Sequence, residues 1–422
     1  MPRFLITDVN TSYNKGDAAI GIGMIKVIQK YFPKSEITLL TPTPIEDSKY
    51  YSKYDAKTEM QLLNHVNRKL PQFVYKIVFP LKLLLLMSCA KMNFPKSTKH
   101  RKTLDHILNA DLIISCSGGR LGKGNFNSIL DSLLPMYFAK KLGKKVYLCA
   151  QSIEPFTNKI VKNLTKFVLN HLDLITVRES ISFDVLKSID VKTKVFLTAD
   201  LAFLLDSPSN ESGQLLVKEC GIPQKNNLRI GITVTDWRVP NKDAKTKRQE
   251  FINEITKALE KIIEIHNATI IFFPQVIFAP KEDDRILSLK IKNNIKNSLS
   301  SHVFVLTQNF EPSQLKSMMG TMDLFIGKRL HSCIFALSKC VPTLLLGYEK
   351  KAWGIMKMLD HEKYVLDINN LKAEQLTSMV NDLLKNKSSI IKRLENKIPL
   401  IQQESFRNGE FIEPLLSGKK II

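Results

Sequence analysis

Three cationic side chains follow an apolar segment at the point where the chain pattern changes from extended to helical. Residues 324–327 are apolar or glycine, and Lys328, Arg329 and His331 come directly after them. In open parallel sheets, ligands bind beyond the carboxyl ends of the strands, so these side chains lie where a site is expected. A guanidinium binds a carboxylate or phosphate through two hydrogen bonds, and an imidazole exchanges a proton near neutral pH. The set suits an anionic substrate that gains or loses a proton.

The direction of these side chains depends on where the helix begins. If the backbone is still extended at this point, Arg329 and His331 share one face while Leu330 turns toward the core. A structural alternative is that Arg329 pairs with a nearby carboxylate and His331 only starts the helix. A second cationic turn favours a site, because residues 343–346 read as the neighbouring strand and Lys351 follows them closely.

The spacing of these residues is similar to that of a known family. Arg329 and His331, followed by Pro342, Tyr348 and Lys351, resemble the C-terminal signature of the polysaccharide pyruvyl transferases. The first half of the chain carries three further matches to this family. The residues that match its N-x-G-D-x-A, R-x-S and D-x-A-F elements are Asn14, Gly16, Asp17 and Ala19, then Arg178 and Ser180, then Asp200, Ala202 and Phe203.

The resemblance implies transfer of a pyruvyl group from phosphoenolpyruvate to two hydroxyls of a sugar, which gives a cyclic ketal and phosphate. Phosphoenolpyruvate carries a carboxylate and a phosphate, so its site needs several cations within a small volume. Arg178, Arg329 and Lys351 supply them, and Lys328 is a further substrate-binding candidate. Carbon three must gain a proton and a sugar hydroxyl must lose one, and His331 is the best-placed group for either transfer. The predicted catalytic residues are therefore His331, Arg329 and Arg178.

The remaining predicted substrate contacts lie in two loops and at one strand end. Gly16 permits a tight turn, and Asp17 caps a helix whose amide end would face the ligand. Family members commonly carry a third glycine where this chain has Arg120, which leaves open whether that loop contacts substrate through its backbone or through this side chain. The contacts predicted from these elements are Asn14, Asp17, Gly118, Gly119, Arg120 and Ser180.

Structural alternatives remain for three of these elements. The first is a plain helix cap at Asp17, and the second is a flexible glycine turn at residues 118–124. The third is a buried ion pair between Arg178 and Asp200.

The amino-acid composition limits which classes of function the chain can have. The chain has 422 residues, with 62 Lys plus Arg against 40 Asp plus Glu, a formal charge of +22 that suits phosphorylated substrates, nucleic acid or an anionic membrane. One alternative function is a glycosyltransferase that uses a sugar nucleotide, but no arrangement of residues to read a base and ribose stands out. A nucleic-acid-binding protein is disfavoured, because the basic residues lack interleaved aromatic residues. Six cysteines without a C-x-x-C pair predict no metal site, and no cofactor is expected beside the donor substrate phosphoenolpyruvate.

The order of predicted elements indicates an α/β protein with two Rossmann-like domains, a GT-B-like architecture with an interdomain cleft. The predicted domains are 1–206, with a basic and apolar insertion at about 41–104, and 228–403, joined by a linker at 207–227. A tail at 404–422 is expected to pack on the first domain. The predicted strands are 3–7, 36–40, 111–117, 145–150, 174–177, 228–235, 268–273, 302–306, 324–327 and 343–346.

The expected location is cytoplasmic, since residues 1–10 lack the pattern of a signal peptide. Residues 77–90 are apolar but shorter than the roughly 20 residues of a spanning helix, and basic residues flank them. This pattern predicts peripheral contact with an anionic membrane at its inner face, where a lipid-linked sugar acceptor would be met.

Overall fold

The computed structural model describes residues 1–61, 101–116, 118–119, 121–122, 126–223, 227–236, 244–278, 282–347 and 349–419. The stretch 62–100, on which the predicted membrane contact mostly rests, lies outside these residues, as do Arg120 and Tyr348. Contacts divide the chain into two compact units. Unit 1 comprises Met1–Ser12, Ile20–Leu204 and Gln403–Ile422, and unit 2 comprises Tyr13–Ala19 and Leu205–Gln402.

Unit 1 is built on a parallel sheet of seven strands in the order β3-β2-β1-β4-β5-β6-β7. The strands are β1 Arg3–Thr7, β2 Glu36–Thr41, β3 Ala56–Met60, β4 Leu112–Ser115, β5 Val146–Gln151, β6 Leu174–Val177 and β7 Val195–Leu197. The helices that begin before residue 200 are α1 Lys15–Tyr31, α2 Pro44–Tyr51, α3 Arg101–Asn109, α4 Phe126–Lys141, α5 Lys159–Leu169 and α6 Ser180–Ser188.

Unit 2 is built on a second parallel sheet, of six strands in the order β10-β9-β8-β11-β12-β13. The strands are β8 Arg229–Thr233, β9 Thr269–Phe272, β10 Val303–Val305, β11 Leu324–Gly327, β12 Thr343–Gly347 and β13 Val365–Asp367. The later helices are α7 Asn210–Glu219, α8 Ala244–His266, α9 Asp284–Asn294, α10 Pro312–Met319, α11 Leu330–Leu337, α12 Lys350–Met358, α13 Ala373–Lys385, α14 Lys387–Phe406 and α15 Ile412–Ser417.

Both sheets show the strand order of a doubly wound fold. In each, the first strand lies inside the sheet and the chain reverses its direction of travel next to it, between β1 and β4 or between β8 and β11. The central strands read as continuous apolar runs because helices cover both of their faces, and β11 and β12 are buried along their whole length. The predicted α/β class with two Rossmann-like domains is confirmed. Ligands in such folds bind beyond the carboxyl ends of the strands at the reversal.

Two predicted boundaries need correction. The insertion does not begin at residue 41, because α2 and β3 follow it and β3 pairs in parallel with β2 as part of the sheet. The predicted linker at 207–227 contains helix α7, which packs against α10 within unit 2. Gly213 of α7 lies so close to the Ser317 carbonyl oxygen that a Cβ atom there would stand 2.4 Å from it. The contacts change from unit 1 to unit 2 between Leu204 and Leu205, before this helix.

Candidate active site

The turn between β11 and α11 sets the position of the R-x-H element. A Cβ atom at Gly327 would lie 2.1 Å from Cys333 Sγ, so glycine allows the helix to fold back closely on the strand end. Arg329 is the N-cap residue in an extended conformation, with φ −90° and ψ 120°, and the helix begins at Leu330. The condition for a shared face of Arg329 and His331, an extended backbone, is therefore not met, because His331 already lies in the first helical turn. Leu330 is half-buried.

Arg329 is held by a buried carboxylate from another helix. Its Nε and Nη2 donate to the two oxygens of Asp284 at 3.2 and 2.8 Å. Asp284 is 2% exposed in its side chain, whereas Arg329 is 29% exposed. Within the described part of the chain, Nη1 of this guanidinium has no partner. The ion pair thus fixes one edge of the guanidinium and leaves the other edge for an anion, so the structural and functional roles of Arg329 are compatible.

Asp284 also organises the segment that follows β9. Its Oδ2 accepts hydrogen bonds from the backbone N–H groups of Gln275 and Val276 at 3.1 and 3.0 Å. That segment in turn pairs with the chain before α1, since Asn14 and Val276 form an antiparallel bridge and the Lys15 N–H donates to the Gln275 carbonyl at 3.0 Å. One carboxylate therefore links Arg329 to the N-x-G-D element.

The N-x-G-D and R-x-H elements are in direct contact. A Cβ atom at Gly16 would lie 2.3 Å from His331 Nδ1 and 2.6 Å from His331 Cβ, closer than any side chain tolerates. Glycine at position 16 is thus required for the imidazole to lie against the first turn of α1. Both elements belong to unit 2, although 315 positions separate them along the chain, as 331 − 16 gives.

The cap of α1 differs from the prediction. Asn14, not Asp17, holds the first turn, because its Oδ1 accepts from the N–H groups of Gly16 and Asp17 at 3.2 and 3.4 Å. Asp17 is the third residue of the helix, and its Oδ2 accepts from Asn14 Nδ2 at 2.8 Å. The carboxylate stabilises the capping side chain and favours the helix N-terminus electrostatically.

Lys328 is a buried cation next to Arg329. Its ammonium donates to the Thr235 carbonyl oxygen and lies 5.1 Å from the centre of the Phe251 ring. Burial, followed by the neighbouring Arg329, holds the pKa of the Lys328 ammonium well below its ordinary value, while Asp236 and Asp284 oppose the shift. The charged form is therefore held at a cost, which a bound anion would relieve.

Lys351 begins the second cationic turn, at the start of α12. Its Nζ lies 2.7 Å from Glu349 Oε2, and the two side chains are 17% and 30% exposed. This carboxylate comes from the residue that caps α12. Lys351 is thus positioned within its own turn, with part of its surface open to solvent.

Arg178 lies inside unit 1 with its side chain 1% exposed. Its Nη1 pairs with Asp200 at 2.5 Å, its Nε donates to Ser152 Oγ at 2.7 Å, and its Nη2 donates to the Gly118 carbonyl oxygen. These contacts tie the glycine loop to the ends of β5 and β6. They favour a positioning role over direct contact with substrate, and the catalytic role of Arg178 stays a prediction.

The structure therefore groups the predicted residues into two sets. In unit 2, Asn14 and Asp17 lie with Arg329 and His331, and Lys328 follows the same strand. In unit 1, Gly118 lies with Arg178, and Ser180 opens α6. The sequence interpretation missed Asp284 and Gln275. Three consecutive acids, residues 282–284, lie at the start of α9, and the sequence does not reveal which one turns inward.

The described residues contain neither a metal-ligand cluster nor a membrane-spanning helix. No group of three His, Cys, Asp or Glu side chains there is arranged to hold a metal ion. Among the helices of the described ranges, none combines the length and the apolar character needed to cross a bilayer.

Comparison with known proteins identifies relatives over most of the chain. A family model described as polysaccharide pyruvyl transferase matches residues 14–350. The amylovoran biosynthesis protein AmsJ of Erwinia amylovora is 23% identical over 404 residues, which cover 92% of this chain and 93% of that protein.

Solved structures with a similar fold include two enzymes at low sequence identity. A putative UDP-N-acetylglucosamine 2-epimerase from Listeria monocytogenes superimposes with a TM-score of 0.63 at 12% identity, covering 100% of this chain and 99% of the other. A glycosyltransferase from Rickettsia africae gives 0.61 at 11% identity, with 99% of each chain covered. These neighbours support the predicted GT-B-like fold class and carry no statement about the reaction.

Proposed function

The chain belongs to the polysaccharide pyruvyl transferase family, and from this membership we propose that it moves the pyruvyl group of phosphoenolpyruvate onto two hydroxyls of one sugar. Two carbon–oxygen bonds form at carbon two of phosphoenolpyruvate, and its bond to the phosphate oxygen breaks. One hydroxyl proton ends on carbon three, which becomes a methyl group, and the other leaves with the phosphate. The products are a cyclic ketal that carries a carboxylate, and inorganic phosphate.

One observation carries the proposal: the R-x-H element lies against the N-x-G-D element in unit 2. Asp284 fixes Arg329 through Nε and Nη2, so that Nη1 is available for the carboxylate or phosphate of the donor. A fixed guanidinium loses little side-chain entropy when it binds, which favours its use as an anion clamp.

His331 is the proposed proton-transfer group. Its imidazole lies beside the first turn of α1 and belongs to the residue two positions after Arg329. Protonation of carbon three makes carbon two electrophilic, and the same ring nitrogen then accepts a proton from the attacking hydroxyl. Contact with Gly16 restricts the ring to a narrow range of positions, which suits a group that must meet a reacting carbon.

The remaining predicted contacts stay proposals within each unit. Lys328 and Lys351 are the further proposed cations of unit 2, and Arg178 stays the predicted cation of unit 1. The polar and backbone contacts in the proposal are Asn14, Asp17, Gly118, Gly119, Arg120 and Ser180. Phosphoenolpyruvate is the donor substrate, and no metal or other cofactor has a role in the proposal.

The proposed acceptor is a sugar of a surface polysaccharide or of its lipid-linked precursor. The family description and the relative named for amylovoran biosynthesis support a role in polysaccharide biosynthesis. A lipid-linked acceptor would bring the enzyme to the inner face of an anionic membrane, where its excess of basic residues favours peripheral contact.

The test measures phosphate release from phosphoenolpyruvate by the full chain in the presence of candidate glycans. We expect release that depends on the glycan, with a glycan product heavier by one pyruvate less one water. A nucleotide sugar in place of phosphoenolpyruvate serves as the control donor. Sugar transfer from the control donor, with no phosphate released from phosphoenolpyruvate, would overturn the proposal in favour of a glycosyltransferase.

Two variants separate binding from proton transfer. Arg329→Lys keeps a cation near Asp284 but loses the planar guanidinium, which can bind Asp284 and an anion at the same time. Phosphoenolpyruvate should therefore bind at least about tenfold more weakly. His331→Gln should bind phosphoenolpyruvate normally and turn over roughly 100- to 10,000-fold more slowly. If calorimetry shows that binding disappears in His331→Gln, the imidazole is an anion ligand instead.

A further inference from the structure

Gln275 lies at the junction of the contacts that organise unit 2. It follows β9 at the carboxyl edge of the sheet, and β9 is the neighbour of β8. Its carbonyl oxygen accepts from the Lys15 N–H at 3.0 Å, next to the glycine that contacts His331. Its own N–H donates to Asp284 Oδ2 at 3.1 Å, and Asp284 holds Arg329. Its backbone is therefore bonded directly to the N-x-G-D element and, through Asp284, to the R-x-H element.

The side-chain amide of Gln275 is buried without hydrogen bonds. The residue is 1% exposed, and neither Nε2 nor Oε1 has a partner among the residues that the structure describes. An unpaired buried polar group costs about 1–3 kcal/mol, and folded proteins pair nearly all of them. Neighbouring buried polar groups obey this rule, since Asp284 accepts four hydrogen bonds and Thr233 bonds to Ser332 at 2.7 Å. The unsatisfied amide is thus a local exception within a well-bonded site.

We infer that the Gln275 amide binds hydroxyl groups of the sugar acceptor, an inference that rests on the proposed function. An amide offers a donor and an acceptor side by side, so its matching ligand must accept from Nε2 and donate to Oε1. Two hydroxyls on adjacent ring carbons do both at once. A carboxylate or a fully ionised phosphate only accepts, and it would leave Oε1 unpaired beside a negative charge.

The charges around Gln275 also favour a neutral ligand. The amide carries no charge, and the carboxylate that its backbone N–H contacts, Asp284, is paired with the Arg329 guanidinium. The donor anion is assigned to the free edge of Arg329 and to the lysines, so the subsite at Gln275 remains for the uncharged substrate. Ketal formation requires two hydroxyls held on one sugar, which is the group that an amide recognises in this way.

Access to the amide requires a local change when the sugar binds. Both amide atoms are out of contact with solvent in this structure, so the sugar reaches them only if the backbone or side chain around residue 275 shifts. Satisfying a buried amide offsets part of the cost of that shift.

The experiment compares Gln275→Met with the native chain, because methionine has a similar length and no hydrogen-bonding amide. The matched control is Gln249→Met, the same substitution at an exposed position of α8 in the same unit. Four quantities are measured. The first three are the melting temperature, the Kd for phosphoenolpyruvate, and kcat/KM for the glycan acceptor at saturating phosphoenolpyruvate. The fourth is binding of the methyl glycosides of glucose, galactose and mannose, observed by saturation-transfer NMR without phosphoenolpyruvate.

For Gln275→Met we expect an equal or higher melting temperature, because the unsatisfied amide is removed. We also expect an unchanged Kd for phosphoenolpyruvate, and a loss of about 10- to 100-fold in kcat/KM for the acceptor. The glycoside signal of the native chain should fall in this variant and persist in Gln249→Met.

Two results would overturn the inference. A lower melting temperature with unchanged kcat/KM and glycoside signal would make the amide a structural group. Loss of phosphoenolpyruvate binding would assign it to the donor. If the native chain releases no phosphate with any glycan, the proposed function fails, and the glycoside signal still decides whether Gln275 belongs to a sugar subsite.

Discussion

Gly16 and His331 touch at a distance that admits no side chain at position 16: a Cβ atom there would lie 2.3 Å from Nδ1 of the imidazole. The glycine belongs to the first turn of α1 and the histidine to the first turn of α11. Alanine is the better helix former by roughly 1 kcal/mol, so helix stability alone does not account for glycine at this position. The contact accounts for it, because only glycine leaves room for the ring.

The first prediction concerns Gly16→Ala. The methyl group must displace the His331 ring, so we expect kcat to fall about 100-fold while the far-ultraviolet circular dichroism is retained. Gly21→Ala is the control, since it places a methyl group in the same helix 2.9 Å from Tyr51 Oη and away from His331. Near-native kcat in Gly16→Ala, or an equal loss in Gly21→Ala, would show that the contact does not position the imidazole.

The parts of the fold that the sequence predicts are the buried ones. Strands β1, β4, β8, β11 and β12 are apolar runs, and every one of them lies within a few residues of its predicted range. The three strands without a prediction, β3, β7 and β13, each lie at an edge of a sheet. Strand β3 reads AKTEM and is largely half-buried or exposed, so it lacks the apolar pattern by which a strand is recognised.

The partners of the site residues were less predictable than the residues themselves. Arg329 and His331 are recognisable because their types and spacing carry chemistry at a strand end. Asp284 is not recognisable, because only the phase of α9 decides which of three consecutive acids turns inward. Gln275 belongs to no sequence motif, and only the structure shows that its side-chain amide is buried without a hydrogen-bond partner. Burial and pairing of this kind depend on contacts between distant parts of the chain, which the local sequence does not reveal.

The second prediction concerns the buried pair of Arg178 and Asp200. Arg178→Ala leaves the Asp200 carboxylate uncompensated at 0% exposure, so the free energy of unfolding should fall by about 3–5 kcal/mol. The double variant Arg178→Met with Asp200→Asn removes both charges and keeps an acceptor for the Ala202 N–H. It should recover most of the loss in urea denaturation. If Arg178→Ala unfolded at the same urea concentration as the native chain, the ion pair would not be the stabilising contact assumed here.

The third prediction concerns Lys328. Its pKa is depressed by burial and by Arg329, so the unfolded chain takes up this proton first, and the free energy of unfolding falls as the pH drops from the ordinary lysine value toward the depressed one. Lys328→Met removes the charge and keeps a side chain of similar length, and we expect an equal or higher melting temperature at neutral pH. Phosphoenolpyruvate should bind at least about tenfold more weakly. Lys357→Met, at an exposed position of α12, is the control and should change neither quantity. A strongly destabilised Lys328→Met with native binding would make the lysine structural.

The last prediction concerns His361, which is buried in unit 2. Its Nε2 lies 2.9 Å from the Thr343 carbonyl oxygen, and its Nδ1 lies 3.0 Å from Arg393 Nη2, so the neutral ring donates to one group and accepts from the other. Burial, with the Arg393 cation beside it, lowers the pKa of His361 from 6.5 to about 4. The unfolded chain therefore takes up the proton first as the pH falls.

The consequence for stability has a defined pH range. The contribution of His361 is intact above about pH 6.5, declines between about 6.5 and 4, and levels off below about 4, with a total loss of roughly 3 kcal/mol. Unfolding of unit 2 can be followed by fluorescence, because Trp353 belongs to it. His361→Gln, which cannot take up a proton, should flatten the pH dependence in this range, whereas His302→Gln should not. An unchanged slope in His361→Gln would mean that the native ring is not held in its neutral form.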